Sequence, residues 1–222
     1  MTRFDTALFD FDGTLFDTSE GIVNAVKYSL EKMSVSDYDE NILRFFIGPP
    51  LTDSYSRYFG FDNKKAIDAV MLFREYYSSK GNMQCNIYPG VREFISSVKA
   101  AGIRVGIATS KPEFFAKKIA ERFGVDRLFE CISGASLNST TQDKAESIKG
   151  AIKSMNITDL NRCVMIGDRS HDIIGAKNTG LSSIGVLYGF GTRQEFEESG
   201  ADYIAADFNE LKAILLGDNQ RN

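Results

Sequence analysis

The chain has 222 residues, 43% hydrophobic and 25% charged, the balance of a globular protein long enough to bury a full core. Its net charge of −4 argues against a nucleic-acid surface, which needs clustered lysine and arginine. No apolar run approaches the roughly 20 residues that cross a bilayer, and the short stretch before Asp5 leaves no room for a leader peptide, so a cytoplasmic setting is expected. Cys85, Cys131 and Cys163 are widely spaced and His171 is the single histidine, which indicates neither a disulfide framework nor a zinc-type site.

In chain order, the apolar run over 6–11 reads as a strand that ends in Asp10-Phe11-Asp12-Gly13-Thr14-Leu15. Side chains alternate along a strand, so Asp10 and Asp12 are expected to converge on one side, with Gly13 free to make the turn that follows. Two carboxylates that close repel unless a cation or a shared proton offsets their charge.

The interval from 17 to 84 reads mostly as helix. Thr18 is placed to cap a helix whose apolar face is Ile22, Val23, Val26, Leu30 and Met33. Gly48-Pro49-Pro50 breaks the run, and Ala66, Ile67, Val70, Met71, Phe73, Arg74 and Tyr77 mark a later helix. This segment reads as a helical insert, hinged to a core made of 1–16 and 85–222.

Beyond it, strands are expected at 104–109, 128–133, 162–166 and 182–186, alternating with helices at 91–101, 112–123, 144–155, 172–179 and 209–216. Pro112 suits a first helical turn, and Gly102, Gly124 and Gly180 suit helix ends. Apolar strands alternating with amphipathic helices indicate an α/β fold with a parallel sheet.

Such sheets bind ligands at the carboxyl ends of their strands. Four groups of polar residues stand at or after such ends: Asp10 with Asp12; Thr109-Ser110-Lys111; Lys144; and Gly167-Asp168-Arg169-Ser170-His171-Asp172. Taken singly, each has an ordinary reading. Asp-x-Asp suits a turn, Thr109 a cap for the helix at Pro112, Lys144 a solvated helix position, and Asp168 and Asp172 the acids of a helix start. Taken together, they fit phosphoryl transfer to a carboxylate. Lys144 offers a charge, Thr109 a hydroxyl and the strand-end amides an anion nest. Mg²⁺ prefers oxygen ligands, which Asp10, Asp168 and the Asp12 carbonyl are placed to supply, with Asp172 orienting a water or Lys144.

Asp10-x-Asp12-Gly13-Thr14, Thr109, Lys144 and Gly167-Asp168-x-x-x-Asp172, in that order, resemble the motifs of the haloacid-dehalogenase-like superfamily. The helical insert, Ile47-Gly48-Pro49-Pro50-Leu51 within it, and Tyr188-Gly189-Phe190-Gly191 resemble the phosphoglycolate-phosphatase and 5′-nucleotidase-like branch. The resemblance implies a Rossmann-like three-layer core with a helical cap that closes over the substrate. It implies a Mg²⁺-dependent phosphomonoesterase acting on a small phosphate ester, with Asp10 as nucleophile and Asp12 as general acid and base. Gly13, Thr109, Ser110 and Lys144 would hold the phosphoryl group, and Asp10, Asp12 and Asp168 the metal.

Ser110 stands where many relatives carry asparagine, and Ala145-Glu146 follows Lys144 where many have proline, leaving Lys149 or Lys153 as a substitute. His171 is given no catalytic role. The aromatics Tyr55, Tyr58, Phe59, Phe73, Tyr76 and Tyr77 read as packing, and Arg44, Arg57 and Arg74 as surface charges. The competing readings are a sugar phosphomutase of the same core and a non-catalytic binding protein. A monomer without nucleic-acid or membrane partners is expected.

Overall fold

In the computed structural model, which describes residues 2–137 and 143–217, the chain divides into two compact units, Met1–Phe16 with Ile87–Asn222, and Asp17–Asn86. It runs through β1 (Thr6–Phe9) and β2 (Phe16–Asp17) into helices α1 (Ser19–Lys32), α2 (Leu51–Phe59) and α3 (Asn63–Ser79). It returns through β3 (Asn86–Ile87) to α4 (Val91–Ala100), β4 (Arg104–Pro112), α5 (Glu113–Arg122), β5 (Ile132–Ala135) and α6 (Lys144–Ser154). The remainder is β6 (Cys163–Gly167), α7 (Ser170–Asn178), β7 (Ser182–Val186), α8 (Arg193–Ser199), β8 (Tyr203–Ala205) and α9 (Phe208–Leu216). No helix among the described residues is long and apolar enough to cross a membrane.

The larger unit is the expected α/β fold: a parallel sheet in the order β5-β4-β1-β6-β7-β8. β1 is buried along its whole length, as a strand covered on both faces must be. Leu8 packs with Ile148 and Met155 of the α6 region and Ala176 of α7. Phe9 meets Phe94 of α4, itself stacked on Phe208 of α9 with ring centroids 4.8 Å apart. The chain leaves β1 toward β4 and leaves β6 toward β7, so the direction of winding reverses between β1 and β6. That is the place where parallel sheets open a crevice for ligands.

Several elements differ from expectation. The third core strand begins at Ile132, because Asp126–Leu128 takes a 3₁₀ turn first. α8 and β8 have too little apolar periodicity to stand out in the sequence. Gly102, Gly124 and Gly180 all take positive φ, as helix-ending glycines do.

In the smaller unit, the apolar side of α1 is Ile22, Ala25, Val26 and Leu30, and that of α3 is Ala66, Ala69, Val70, Phe73 and Tyr77. Ile67 and Met71 face outward, since the stripe follows the 66/70/73/77 row. Thr18 occupies the N-cap position of α1, its carbonyl accepting from the Ile22 amide at 3.2 Å, but its side chain makes no cap bond; Asp17 accepts from the Ser19 amide at 3.0 Å instead. Tyr55 is fully buried among Phe46, Phe59 and Phe61, and its hydroxyl meets Ser29 Oγ.

Gly21 in α1 lies against the 3₁₀ turn Gly81–Met83, and its amide donates to Gln84 O at 3.0 Å. A Cβ there would sit 2.0 Å from the Gly81 carbonyl oxygen, a backbone atom that no rotamer change can move. Alanine raises helix propensity by about 1 kcal/mol over glycine, whereas overpacking costs about 1–3 kcal/mol. Gly21→Ala is therefore expected to lower the melting temperature; a rise would show that α1 shifts freely away from the turn.

Candidate active site

β1 pairs with β6 so that Phe9 lies opposite Ile166, and the ladder continues for one step as the Asp10 amide donates to Ile166 O at 2.8 Å. Asp10 and Asp168 thereby leave neighbouring strands at the same edge. β1 ends at Phe9, and residues 11–16 fold into a tight loop closed by Gly13 N to Phe16 O and Leu15 N to Phe11 O. The expected alternation of Asp10 and Asp12 along one strand does not hold, because both lie beyond the strand. Their carboxylates pair with different lysines.

Lys144, the first residue of α6, is 4% exposed and bridges two acids. Its Nζ lies 2.5 Å from Asp10 Oδ1 and 2.6 Å from Asp172 Oδ1. Burial works against the ammonium, but Asp10 and Asp172 outweigh it and hold its pKa above the ordinary lysine value. Its stem crosses α7 at Gly175, where a Cβ would sit 2.8 Å from Lys144 Cγ. Lys149 instead pairs at the surface with Glu146, and Lys153 is exposed, so neither replaces Lys144 in the cluster.

Asp168 is wholly buried. Its Oδ1 accepts from Thr14 Oγ1 at 3.2 Å and its Oδ2 from the Phe190 amide at 2.9 Å. Glycines make room for it: a Cβ on Gly13 would lie 2.1 Å from Asp168 Oδ2, and one on Gly189 2.3 Å from Asp168 Cβ. Gly13 also has φ +78°, so both the turn and the packing call for glycine there. Asp172 Oδ2 accepts from the Arg169 amide at 3.0 Å, and a Cβ on Gly167 would lie 2.1 Å from Asp172 Cγ. Glu195 of α8 steadies this loop by accepting from the Ser170 amide at 2.7 Å and from Arg169 Nε at 3.1 Å.

Burial pushes Asp10 up to about 6, against the pull of Lys144, with Asp172 and Asp12 adding to the rise. Burial, then the charges of Asp172 and Asp10, hold Asp168 well above the carboxylate range. His171 is half-buried with burial lowering its pKa, and its Nδ1 has no hydrogen-bond partner among the described residues.

The remaining expected residues end β4. Thr109 is buried and its Oγ1 accepts from the Lys111 amide at 3.1 Å, and Ser110 is partly exposed beside it. Lys111, which the motif reading left without a role, places its Nζ 2.8 Å from Asp12 Oδ1. Glu195, Gly175 and the Phe190 amide are likewise absent from that reading. Of these, the closely spaced Gly189 and Gly191 offered the only visible sign, a backbone pressed against another group.

A family model described as haloacid dehalogenase-like hydrolase matches residues 7–186. A 5′-nucleotidase of Pseudomonas aeruginosa is 37% identical over 213 residues, which is 96% of this chain and 96% of that protein. A phosphoglycolate phosphatase of Colwellia psychrerythraea is 29% identical across 95% of this chain and 96% of its own. The crystal structure of a predicted phosphatase from Clostridium acetobutylicum superimposes with a TM-score of 0.89 at 42% identity, covering 96% of this chain and 98% of that one.

The acids fit a divalent cation. Asp10, Asp168 and Asp172 each offer an oxygen, and these three oxygens lie within 4.8 Å of one another. Lys144 bridges two of them, so the buried cluster keeps an excess of negative charge when all three are ionised. An all-oxygen donor set of this kind suits a hard cation. From about pH 4 to about pH 6 the metal-free folded protein retains a proton on Asp10 that the unfolded chain has released, so stability falls as pH rises through that window. Mg²⁺ competes for the ionised form. It is therefore expected to raise the melting temperature more at about pH 7.5 than at about pH 5, and Asp168→Asn should cancel the difference. An equal shift at both values, or none, would mean that the acids do not bind the ion.

Proposed function

The chain belongs to the haloacid dehalogenase-like hydrolase family and is a phosphatase, and on that premise we propose that it is a Mg²⁺-dependent phosphomonoesterase working through Asp10. The observation that carries this reading is the Lys144 ammonium held between Asp10 and Asp172, with Asp168 in the same buried cluster. A carboxylate so placed serves as a nucleophile beside a cation suited to the phosphoryl oxygens.

In the first step an Asp10 oxygen bonds to phosphorus as the bond to the leaving alcohol breaks, and Asp12 gives that oxygen a proton. In the second, a water oxygen bonds to phosphorus, its proton passes to the Asp12 carboxylate, and the bond between Asp10 and phosphorus breaks to free phosphate. Lys144, Thr109 and Ser110 hold the phosphoryl oxygens, and Gly13 keeps the backbone close to them. Asp10, the carbonyl of Asp12 and Asp168 would hold Mg²⁺, with Asp172 beside them. When bound, the ion offsets the carboxylate charge and that of the phosphoryl oxygens.

Small esters of the nucleoside 5′-monophosphate or phosphoglycolate kind are the proposed substrates, in keeping with the names of the relatives. We assign the choice among them to the helical unit 17–86. A monomer acting in the cytoplasm completes the proposal.

Purified protein with Mg²⁺ is expected to release free phosphate from p-nitrophenyl phosphate and from members of a panel of natural esters. Isomerisation of one sugar phosphate without net release would favour a mutase, and inertness toward every ester would favour a non-catalytic scaffold. Asp10→Asn should lower kcat by about a thousandfold or more while leaving the melting curve cooperative. Activity near that of the wild type would remove Asp10 from its role.

A further inference from the structure

We propose that Lys111 is a positioning residue that holds the Asp12 carboxylate in place for the water-activating half of the reaction, an inference that rests on the phosphatase reading above. The pairing is built into the sheet. β4 and β5 are in register at Ala108 with Ser133 and again at Pro112 with Ala135. Thr109, Ser110 and Lys111 therefore stand where β5 supplies Gly134 alone. Extra residues in one strand bend it and turn its side chains away from their regular directions.

Three further features hold this bulge. Thr109 Oγ1 accepts from the Lys111 amide at 3.1 Å, which tightens the turn. At Gly134 a Cβ would lie 2.6 Å from Lys111 O and 2.7 Å from Glu113 N, so only glycine lets the bulged backbone lie this close. Glu113 closes the other side by accepting from the Gly134 amide at 3.3 Å.

The result is a lysine carried from β4 to the loop after β1. Its side chain is 3% exposed and that of Asp12 16%. Nζ reaches both oxygens of Asp12, at 2.8 and 3.2 Å, and stands 5.7 Å from the centroid of Phe11, whose ring stacks on Phe16. A lysine buried this deeply keeps its charge only against a fixed anion. Contact with both oxygens sets the plane of the carboxylate. That fixed orientation is what the second step needs, when a water proton passes to Asp12 as the water oxygen bonds to phosphorus and the bond to Asp10 breaks.

Lys111→Met keeps the length of the side chain and removes the charge. With p-nitrophenyl phosphate, whose leaving group departs readily without a proton, the variant is expected to form the aspartyl-phosphate normally and hydrolyse it slowly. Rapid-quench kinetics should show kcat lowered about 10- to 100-fold, with a burst of one p-nitrophenol per enzyme. Lys111→Arg should recover most of the rate. In an Asp12→Asn background, Lys111→Met should change kcat by less than about twofold, because Lys111 acts through the missing carboxylate.

A kcat within twofold of the wild type, a loss confined to KM, a loss without a burst, or additive losses in the double variant would each overturn the assignment. A KM-only loss would instead make Lys111 a substrate contact. Wild-type protein inert toward the ester would remove the phosphatase reading itself.

Discussion

One lysine ammonium, buried between two carboxylates, holds the candidate site together. Lys144 starts α6, Asp10 follows β1 and Asp172 lies in the first turn of α7, so the two contacts tie three elements at a single point. Removing a charge from water costs several kcal/mol, which its partners repay only in good geometry. The glycines around it reflect that demand: Gly175 admits the lysine stem and Gly167 admits Asp172. Local volume has been given up so that the charges can meet.

The topology explains why they meet there. β1 lies between β4 and β6, with winding reversed on its two sides, so the ends of three strands face one opening. β1 delivers Asp10, β6 delivers Asp168, and β4 delivers Thr109 and Lys111. Two lysines face four acids, namely Asp10, Asp12, Asp168 and Asp172. The imbalance is costly in an empty site, and a divalent ion bound there would offset both the carboxylates and the negative charge of a phosphoryl group. Sites that carry such unfavourable electrostatics are where binding energy becomes catalysis.

Asp10, Lys144, Asp168 and Asp172 were legible in the sequence because each stands just beyond an apolar run or opens a helix, and strand ends converge in a parallel sheet. The pairing of Asp12 with Lys111 was not legible. It depends on a bulge whose cause, Gly134, lies on a different strand. Nor was the bond from the Phe190 amide to Asp168, since a backbone donor leaves no mark in residue identity. The outward turn of Ile67 and Met71 was missed for another reason: helical periodicity gives a stripe of apolar residues but not which of its edges the neighbours cover.

The central claim is that Asp10 itself carries the phosphoryl group during turnover. The direct measurement is acid quenching of the protein during steady turnover of a radiolabelled phosphate ester, followed by peptide mapping. The account predicts acid-stable, base-labile label on the peptide that contains Asp10, lost on chase with unlabelled ester. Label on another residue, or active protein that never carries label, would contradict it.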